Sequence, residues 1–261
     1  MAFAALKDRH VQGESFLHRL DARAKLVMTL SVILCAVFTP TARWEVFAAL
    51  GGLIAIAIVL SGLDPRLVFG RSLLALPFTL AALPVLFGHA GSELFTVPVF
   101  GWTATDEGLR FFASILMRSW ISVLAATILT ATTEADRLLS GLRSFGVPRL
   151  LVATTSFMWR YVFLIVEEAG RLMTARDARS ARLHGRLGGS LVWRGKVAGN
   201  IVGSLFLRSL NRSERVYAAM LSRGYNGEML TLDRFTLGAR DYAAAAVTLA
   251  AVLLIQAYAR F

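Results

Sequence analysis

Five apolar runs, each close to the length of a bilayer crossing, constrain this chain more than any other feature. About twenty residues make a helix ~30 Å long, enough to cross the hydrocarbon core. Residues 26–38 (LVMTLSVILCAVF) reach that length with their flanks, from about Ala24 to Pro40. Residues 44–60 follow after the turn Thr39-Pro40-Thr41, 67–87 form a third run, 111–131 a fourth and 242–258 the last. Pro77 and Pro84 interrupt the third. A proline inside a span is tolerated where neighbouring helices satisfy the backbone groups it frees, so this run is read as a span. The composition, 56% hydrophobic and 17% charged, carries too little polar surface for a soluble globule. One cysteine, Cys35, and six prolines exclude a disulfide scaffold and a collagen-like chain. No secretory signal peptide is expected, because Lys7, Asp8, Arg9 and His10 precede any apolar region.

The chain is also basic, with net charge +11. Residues 169–240 hold 13 Lys and Arg against the four acids Asp177, Glu214, Glu228 and Asp233. The first 25 residues hold Lys7, Arg9, Arg19, Arg23 and Lys25. Basic flanks of spans stay on the cytoplasmic side, so an even number of spans, four, separates the two blocks. Residues 88–109 lack Lys and Arg and contain Glu93, Asp106 and Glu107, as an external loop should. Residues 150–166 are apolar enough for a further span, yet Arg160 lies inside them, and a centred Arg costs roughly 2.5–3.5 kcal/mol on insertion scales. They are expected at or just beneath the membrane, packed on other helices. The last span then carries the C-terminus outside.

About 110 residues separate the fourth and last spans, too many for a connecting loop. Thr133-Glu134-Ala135-Asp136 opens a short helix, with Thr as cap and acids in the first turn, and Gly146-Val147-Pro148 ends it. A long helix is expected from Arg149 to about Arg182, apolar before Glu167-Glu168 and arginine-rich after. His184-Gly185 and Gly188-Gly189-Ser190 mark a turn. A second helical stretch from about Leu191 to Arg223 carries a stripe of Val197, Ile201, Leu205, Leu210, Tyr217, Met220 and Leu221. Asn211-Arg212-Ser213-Glu214 offers a capping box that would divide it, and Gly224 stops it.

Both stretches end alike, in Ala178-Arg179-Ser180 and Ser222-Arg223-Gly224. Small neighbours let an Arg at a helix tip enter a partner's pocket, where its five fixed donors suit carboxylates and carbonyls. An Arg complementing the helix dipole is the plainer reading of either end taken alone. Both readings stand on the residues themselves.

Chemistry of its own is hard to find in the chain. A P-loop needs Gly-x4-Gly-Lys-[Ser/Thr]. Around the one Gly-Lys pair, Gly195-Lys196, Ser190 stands in place of the first Gly and Val197 in place of Ser/Thr. His10, His18, His89 and His184 are scattered without metal-ligand spacing, and His18 reads as structural. Cys35 reads as packing within a span. Arg118, inside the fourth span, reads as a buried structural charge, with gripping a partner subunit as the alternative. Arg194 and Arg234 read as solvated loop charges.

Three segments carry a family resemblance over nearly the whole chain. They are Ser15-Phe-Leu-His-Arg-Leu-Asp-Ala-Arg-Ala-Lys25; Gly146-Val-Pro-Arg-Leu with Trp159-Arg-Tyr-Val-Phe and Glu167-Glu168; and Ser213-Glu-Arg-Val-Tyr-Ala-Ala-Met-Leu-Ser-Arg-Gly-Tyr225. Together they resemble the T component, the transmembrane coupling subunit, of energy-coupling-factor transporters, in its cobalt-type CbiQ branch. The family's two arginine motifs map onto Ala178-Arg179-Ser180 and Ser222-Arg223-Gly224, with Ser222 where Ala is usual. The resemblance implies that these motifs dock into two cytoplasmic ATP-binding subunits. ATP-driven closure would move the crossed coupling helices, and these a separate substrate-binding membrane subunit, with or without a small accessory membrane subunit.

The expected fold class is therefore an all-α integral membrane protein of about five transmembrane helices. A cytoplasmic module of long coupling helices is inserted before the last span. Residues 1–131 form a membrane domain of four spans, 132–240 a cytoplasmic or interfacial coupling-helix module, and 241–261 the last transmembrane helix. The expected function is non-catalytic coupling in an ATP-driven cobalt importer of a bacterial inner membrane, embedded in the lipid bilayer, with no cofactor, no metal site and no nucleic acid. A nickel or vitamin transporter is the near alternative. An integral membrane enzyme acting on lipid or a phosphorylated substrate is the distant one, and no paired acid/base or metal constellation supports it. A nucleic-acid-binding scaffold would need surface aromatics interleaved with the arginines of 169–240, and these are not expected there.

Overall fold

The computed structural model describes residues 15–73, 76–88, 92–97, 102–180, 190–227 and 237–260. Contacts divide the chain into two compact units, one within 142–234 and the other within 9–141 together with 235–261.

The larger unit is a helix bundle. After a single turn, α1 (Phe16–Arg19), come α2 (Ala22–Phe38) and α3 (Trp44–Ser61). The two long helices that complete the bundle are α6 (Asp106–Thr132) and α10 (Ala239–Arg260). Asp21 caps α2 by accepting from the Arg23 N–H, and Thr105 caps α6 by accepting from the Gly108 N–H. On α3 the buried residues are Val46, Phe47, Leu50, Ile54, Ile58 and Ser61, and on α6 they include Ile121, Leu124, Ala125, Ile128 and Ala131. These are 3–4 spaced stripes, one face of each helix. They close a single core with Val32, Cys35 and Ala36 of α2 and Val252 and Ala259 of α10. Ala36, Ala131 and Ala259 are nearly or fully buried, and such small side chains let backbones approach where lipid supplies no hydrophobic drive. Hydroxyls inside the helices are satisfied locally: Thr127, Thr132 and Thr248 each donate to the carbonyl four residues back.

The third apolar run departs from expectation, since it is not one spanning helix. It is broken into α4 (Pro65–Ser72), α5 (Leu76–Leu80) and a 3-10 turn (Leu83–Phe87). Pro77 and Pro84 each occupy the second position of a new short element. A proline has no N–H to donate and its ring clashes with the carbonyl four residues back, so it begins helices more readily than it continues them. The turn packs on the start of α6 so closely that a Cβ on Gly108 would collide with the Leu86 carbonyl. Between them a small antiparallel ribbon pairs β1 (Glu93–Val97) with β2 (Trp102–Thr105), with a bulge after Glu93. The all-α architecture holds apart from this ribbon.

Among the described residues, four helices are long and apolar enough to cross a membrane: Trp44–Ser61, Asp106–Thr132, Arg149–Arg179 and Ala239–Arg260. At 17 residues α2 is about 26 Å long. Residues 150–168, expected at or just beneath the membrane, thus fall in a helix, Arg149–Arg179, with the length and composition of a span.

A short helix, α7 (Ala135–Ser144), ends before Gly146, whose φ is +84°. The smaller unit then consists of α8 (Arg149–Ser180) and α9 (Leu191–Ser222), each 32 residues long and packed on the other. Ser190 caps α9 by accepting from the Trp193 N–H. The capping box at 211–214 does not divide α9: Ser213 Oγ instead donates to the Leu210 carbonyl, and the helix runs through. The expected turn through His184 lies outside the described residues.

Candidate functional site

The two arginine motifs stand at the C-terminal tips of α8 and α9. Ala178 and Arg179 are exposed in the last turn of α8, and Ser180 is its final residue. Ser222 ends α9, and its hydroxyl donates to the Ala219 carbonyl at 2.9 Å. Arg223 is the C-cap, Gly224 has φ +80°, and both are exposed. The Gly224 N–H donates to Leu221 O and the Tyr225 N–H to Met220 O, both at 3.0 Å. This is a Schellman closure, which needs the left-handed conformation that glycine adopts without cost. It fixes where Arg223 leaves the helix. Ser222-Arg223-Gly224 is therefore a built end rather than a frayed one.

The guanidinium groups around the tips differ in what they hold. Arg171 donates to Glu167 at 2.7 Å, Arg176 to Asp177 at 2.6 and 2.9 Å, and Arg208 to Glu168 at 2.6 Å. Among the described residues, Arg179 and Arg223 make no side-chain hydrogen bond or ion pair, and neither does Arg215 in the body of α9. Lack of a partner alone therefore does not single out the two motif arginines. Position at a tip between small residues does.

A second polar cluster lies in the bundle and was not foreseen in its pairing. Lys25, 4% exposed, donates to the Thr132 carbonyl at 3.1 Å, to Thr133 Oγ1 at 3.2 Å and to the His18 carbonyl at 3.5 Å. The buried Asp241 carboxylate accepts from the Asp21 N–H at 2.9 Å and from the Gly238 N–H at 2.8 Å. The heads of α2 and α10 and the tail of α6 are thus tied by charged groups. The open cleft beside this cluster, about 640 Å³, is lined by Phe16, Arg19, Leu20 and residues 238–241. Lys25 at the head of an apolar run is visible in sequence, but its partners Thr132 and Thr133 are not, nor is the bond from Asp21 to Asp241, 220 residues away.

The remaining singled-out residues have structural surroundings. Arg118 donates to the Thr39 carbonyl at 2.8 Å, at the C-terminal end of α2, which complements that helix's dipole. Its Nε is buried without a partner among the described residues. His18 Nδ1 lies 2.6 Å from Ser15 Oγ, and Cys35 Sγ lies 3.2 Å from Gln256 Oε1. Among the described residues no three His, Cys, Asp or Glu side chains gather as a metal site would require. Arg194, expected in a loop, sits in the first turn of α9.

Comparison with known proteins fits this architecture. The profile of the CbiQ family, described as cobalt transport protein, matches residues 13–232. The energy-coupling factor transporter transmembrane protein EcfT of Brevibacillus brevis is 29% identical over 265 residues, covering 95% of each chain. The cobalt transport protein CbiQ of Rhodobacter capsulatus is 30% identical over 155 residues, 59% of this chain and 61% of that one. Protein MJ1571 of Methanocaldococcus jannaschii is 31% identical over 167 residues, 62% of this chain, and the match spans 55% of its length. With four-fifths of its length matched by one family and several helices fit to cross a bilayer, this chain is a multi-pass membrane protein belonging to the CbiQ family of transport proteins.

Proposed function

We propose that the chain is the non-catalytic coupling subunit, the T component, of an ATP-driven energy-coupling-factor importer, with cobalt ion as cargo. Residues 1–131 and 241–261 act as the membrane domain and residues 132–240 as the cytoplasmic or interfacial coupling module. Two cytoplasmic ATP-binding subunits receive the tips Ala178-Arg179-Ser180 and Ser222-Arg223-Gly224. A separate substrate-binding membrane subunit, with or without a small accessory membrane subunit, carries the cargo. The observation that carries this reading is a pair of equally long helices, each ending in an exposed arginine between small residues that has no side-chain partner among the described residues. A desolvated groove rewards such a guanidinium with charge-assisted hydrogen bonds, and water does not.

The bare apolar surface of the same helices supports a membrane-subunit partner. Leu150, Met158, Val162 and Leu164 on α8, and Val202, Phe206, Leu207 and Leu210 on α9, are all exposed. A nickel or vitamin cargo is the second reading, favoured by the near full-length match to a relative named for energy coupling rather than for a metal.

Uptake tests this reading. Cells making the chain with its neighbouring transporter subunits should accumulate cobalt in an ATP-dependent way. Arg179→Glu and Arg223→Glu should each abolish that uptake at normal membrane insertion, and Arg215→Glu should not. Wild-type uptake by both tip variants would make these arginines mere helix-end charges.

A further inference from the structure

Two neighbouring acids in α8 take partners in different directions. Glu167 accepts from Arg171, one turn along its own helix. Glu168 accepts instead from Arg208 of α9, 40 residues away, at 2.6 Å. The Glu168 side chain is only 18% exposed, against 64% for Glu167. The carboxylate of the inter-helix pair is therefore partly sheltered from water, while the Arg208 side chain is 56% exposed. Both partners sit near the middle of their helices, Glu168 in Arg149–Ser180 and Arg208 in Leu191–Ser222. Around it, half-buried positions of α9 at Val197, Ile201, Leu205, Ser209, Arg212, Val216 and Met220 form a 3–4 spaced stripe. The apolar members of such a stripe resist separation but tolerate rotation and sliding, since their contacts have no direction. A guanidinium–carboxylate bond has direction.

We propose that Glu168 and Arg208 form a pin that fixes the angle and register of the two helices, and with them the spacing of the tips Arg179 and Arg223. From pin to tip runs eleven residues on α8 and fifteen on α9, arms of about 16 and 22 Å. At such a radius a swing of about ten degrees displaces a tip by ~3–4 Å, more than a hydrogen bond tolerates. The pin residues touch no partner in this account. They are positioning residues whose effect reaches the docking step through the tips, and that consequence rests on the docking reading above, whereas the geometry does not.

The test separates the two. Spin labels on cysteines replacing the exposed Met173 and Tyr217, in a Cys35→Ala background, report the spacing of the arms in the full chain in lipid nanodiscs. Arg208→Glu should shift or broaden the distance distribution by ~3 Å or more, and Glu168→Gln should broaden it with no like-charge clash. The exchanged pair, Glu168→Arg with Arg208→Glu, should restore the parent distribution. With the ATP-binding subunits present, Arg208→Glu should reduce uptake at least ~ten-fold and the exchanged pair should recover most of it. Unchanged distances in both single variants, or an exchanged pair as displaced as they are, would overturn the pin. Displaced arms with undiminished uptake would uphold the pin and count against docking at the tips.

Discussion

The bundle and the paired helices α8 and α9 use similar apolar composition to opposite ends. In the apolar windows of α3 and α6, 33% of residues are buried within the chain, whereas in the peripheral α10 of the bundle 11% are and in α8 only 6% are. The difference is not one of helix quality, since α8 and α9 are the longest helices here, at 32 residues each. It lies in what each region was selected to meet. Bundle helices turn large residues such as Phe47, Leu50, Ile54 and Ile121 inward, with alanines at close approaches, and pack on one another. The paired helices present large residues outward and touch each other near one ion pair. A stable fold needs the first arrangement, and the second is what the proposed coupling role calls for.

Truncating side chains in the two regions is the strongest way to break this comparison. Leu50 is fully buried in the core, and Leu50→Ala should cost about 2–5 kcal/mol, read as a large fall in thermal midpoint of the purified chain in detergent. Phe206 is 64% exposed on α9, and Phe206→Ala should move that midpoint little, within about 0.5 kcal/mol, while weakening assembly with the other subunits. Equal losses from both would show that α9 is held by the fold rather than left for a partner.

The charged cluster at the heads of the spans sharpens the same contrast. Asp241→Ala strands the Asp21 and Gly238 N–H groups, each of which now donates to an ionised acceptor. The expected cost is about 2–4 kcal/mol, read in the same melting experiment. No change would mean that water replaces the carboxylate and that α2 and α10 are held by apolar packing and the Gln256 contacts with Cys35 and Phe38.

Gly224→Ala tests a tip with the smallest expected effect. An alanine can adopt φ +80° only at a cost of about 1 kcal/mol, so the last turn should loosen without destabilising the bundle. Uptake should fall a few-fold with an unchanged melting midpoint.

Most of the bundle is legible in the residues, because a span is a composition before it is a contact. The runs at 44–60, 111–131 and 242–258 became α3, α6 and α10 with ends shifted by a few residues. Helix ends with their own chemistry were legible too. Gly224 terminates α9 as a left-handed cap, and Gly146 follows the end of α7. The third run was misjudged, because apolar composition reads the same whether prolines kink a helix or restart it. Backbone groups freed at Pro77 and Pro84 found local turns rather than a continuing ladder. Within α9, the possible break at Ser213 was a local signal overridden by helix continuation. The tips were visible as repeated small-Arg-small strings. The ties Asp21–Asp241 and Glu168–Arg208 were not, because a single sequence does not state which distant charges meet.

The central claim is that the two tips, and not basic charge in general, engage the ATP-binding subunits. Its most direct measurement is the affinity of the purified chain for those subunits with Arg179→Glu and Arg223→Glu, singly and combined, against Arg215→Glu, a control that matches each single variant in charge change. Losing a desolvated, hydrogen-bonded guanidinium costs about 2–5 kcal/mol, at least ~30-fold at the low end, so the double variant should scarcely bind. The Arg215 variant should bind like the parent. A double variant that binds as tightly as the parent, or a control that loses as much, would contradict the account.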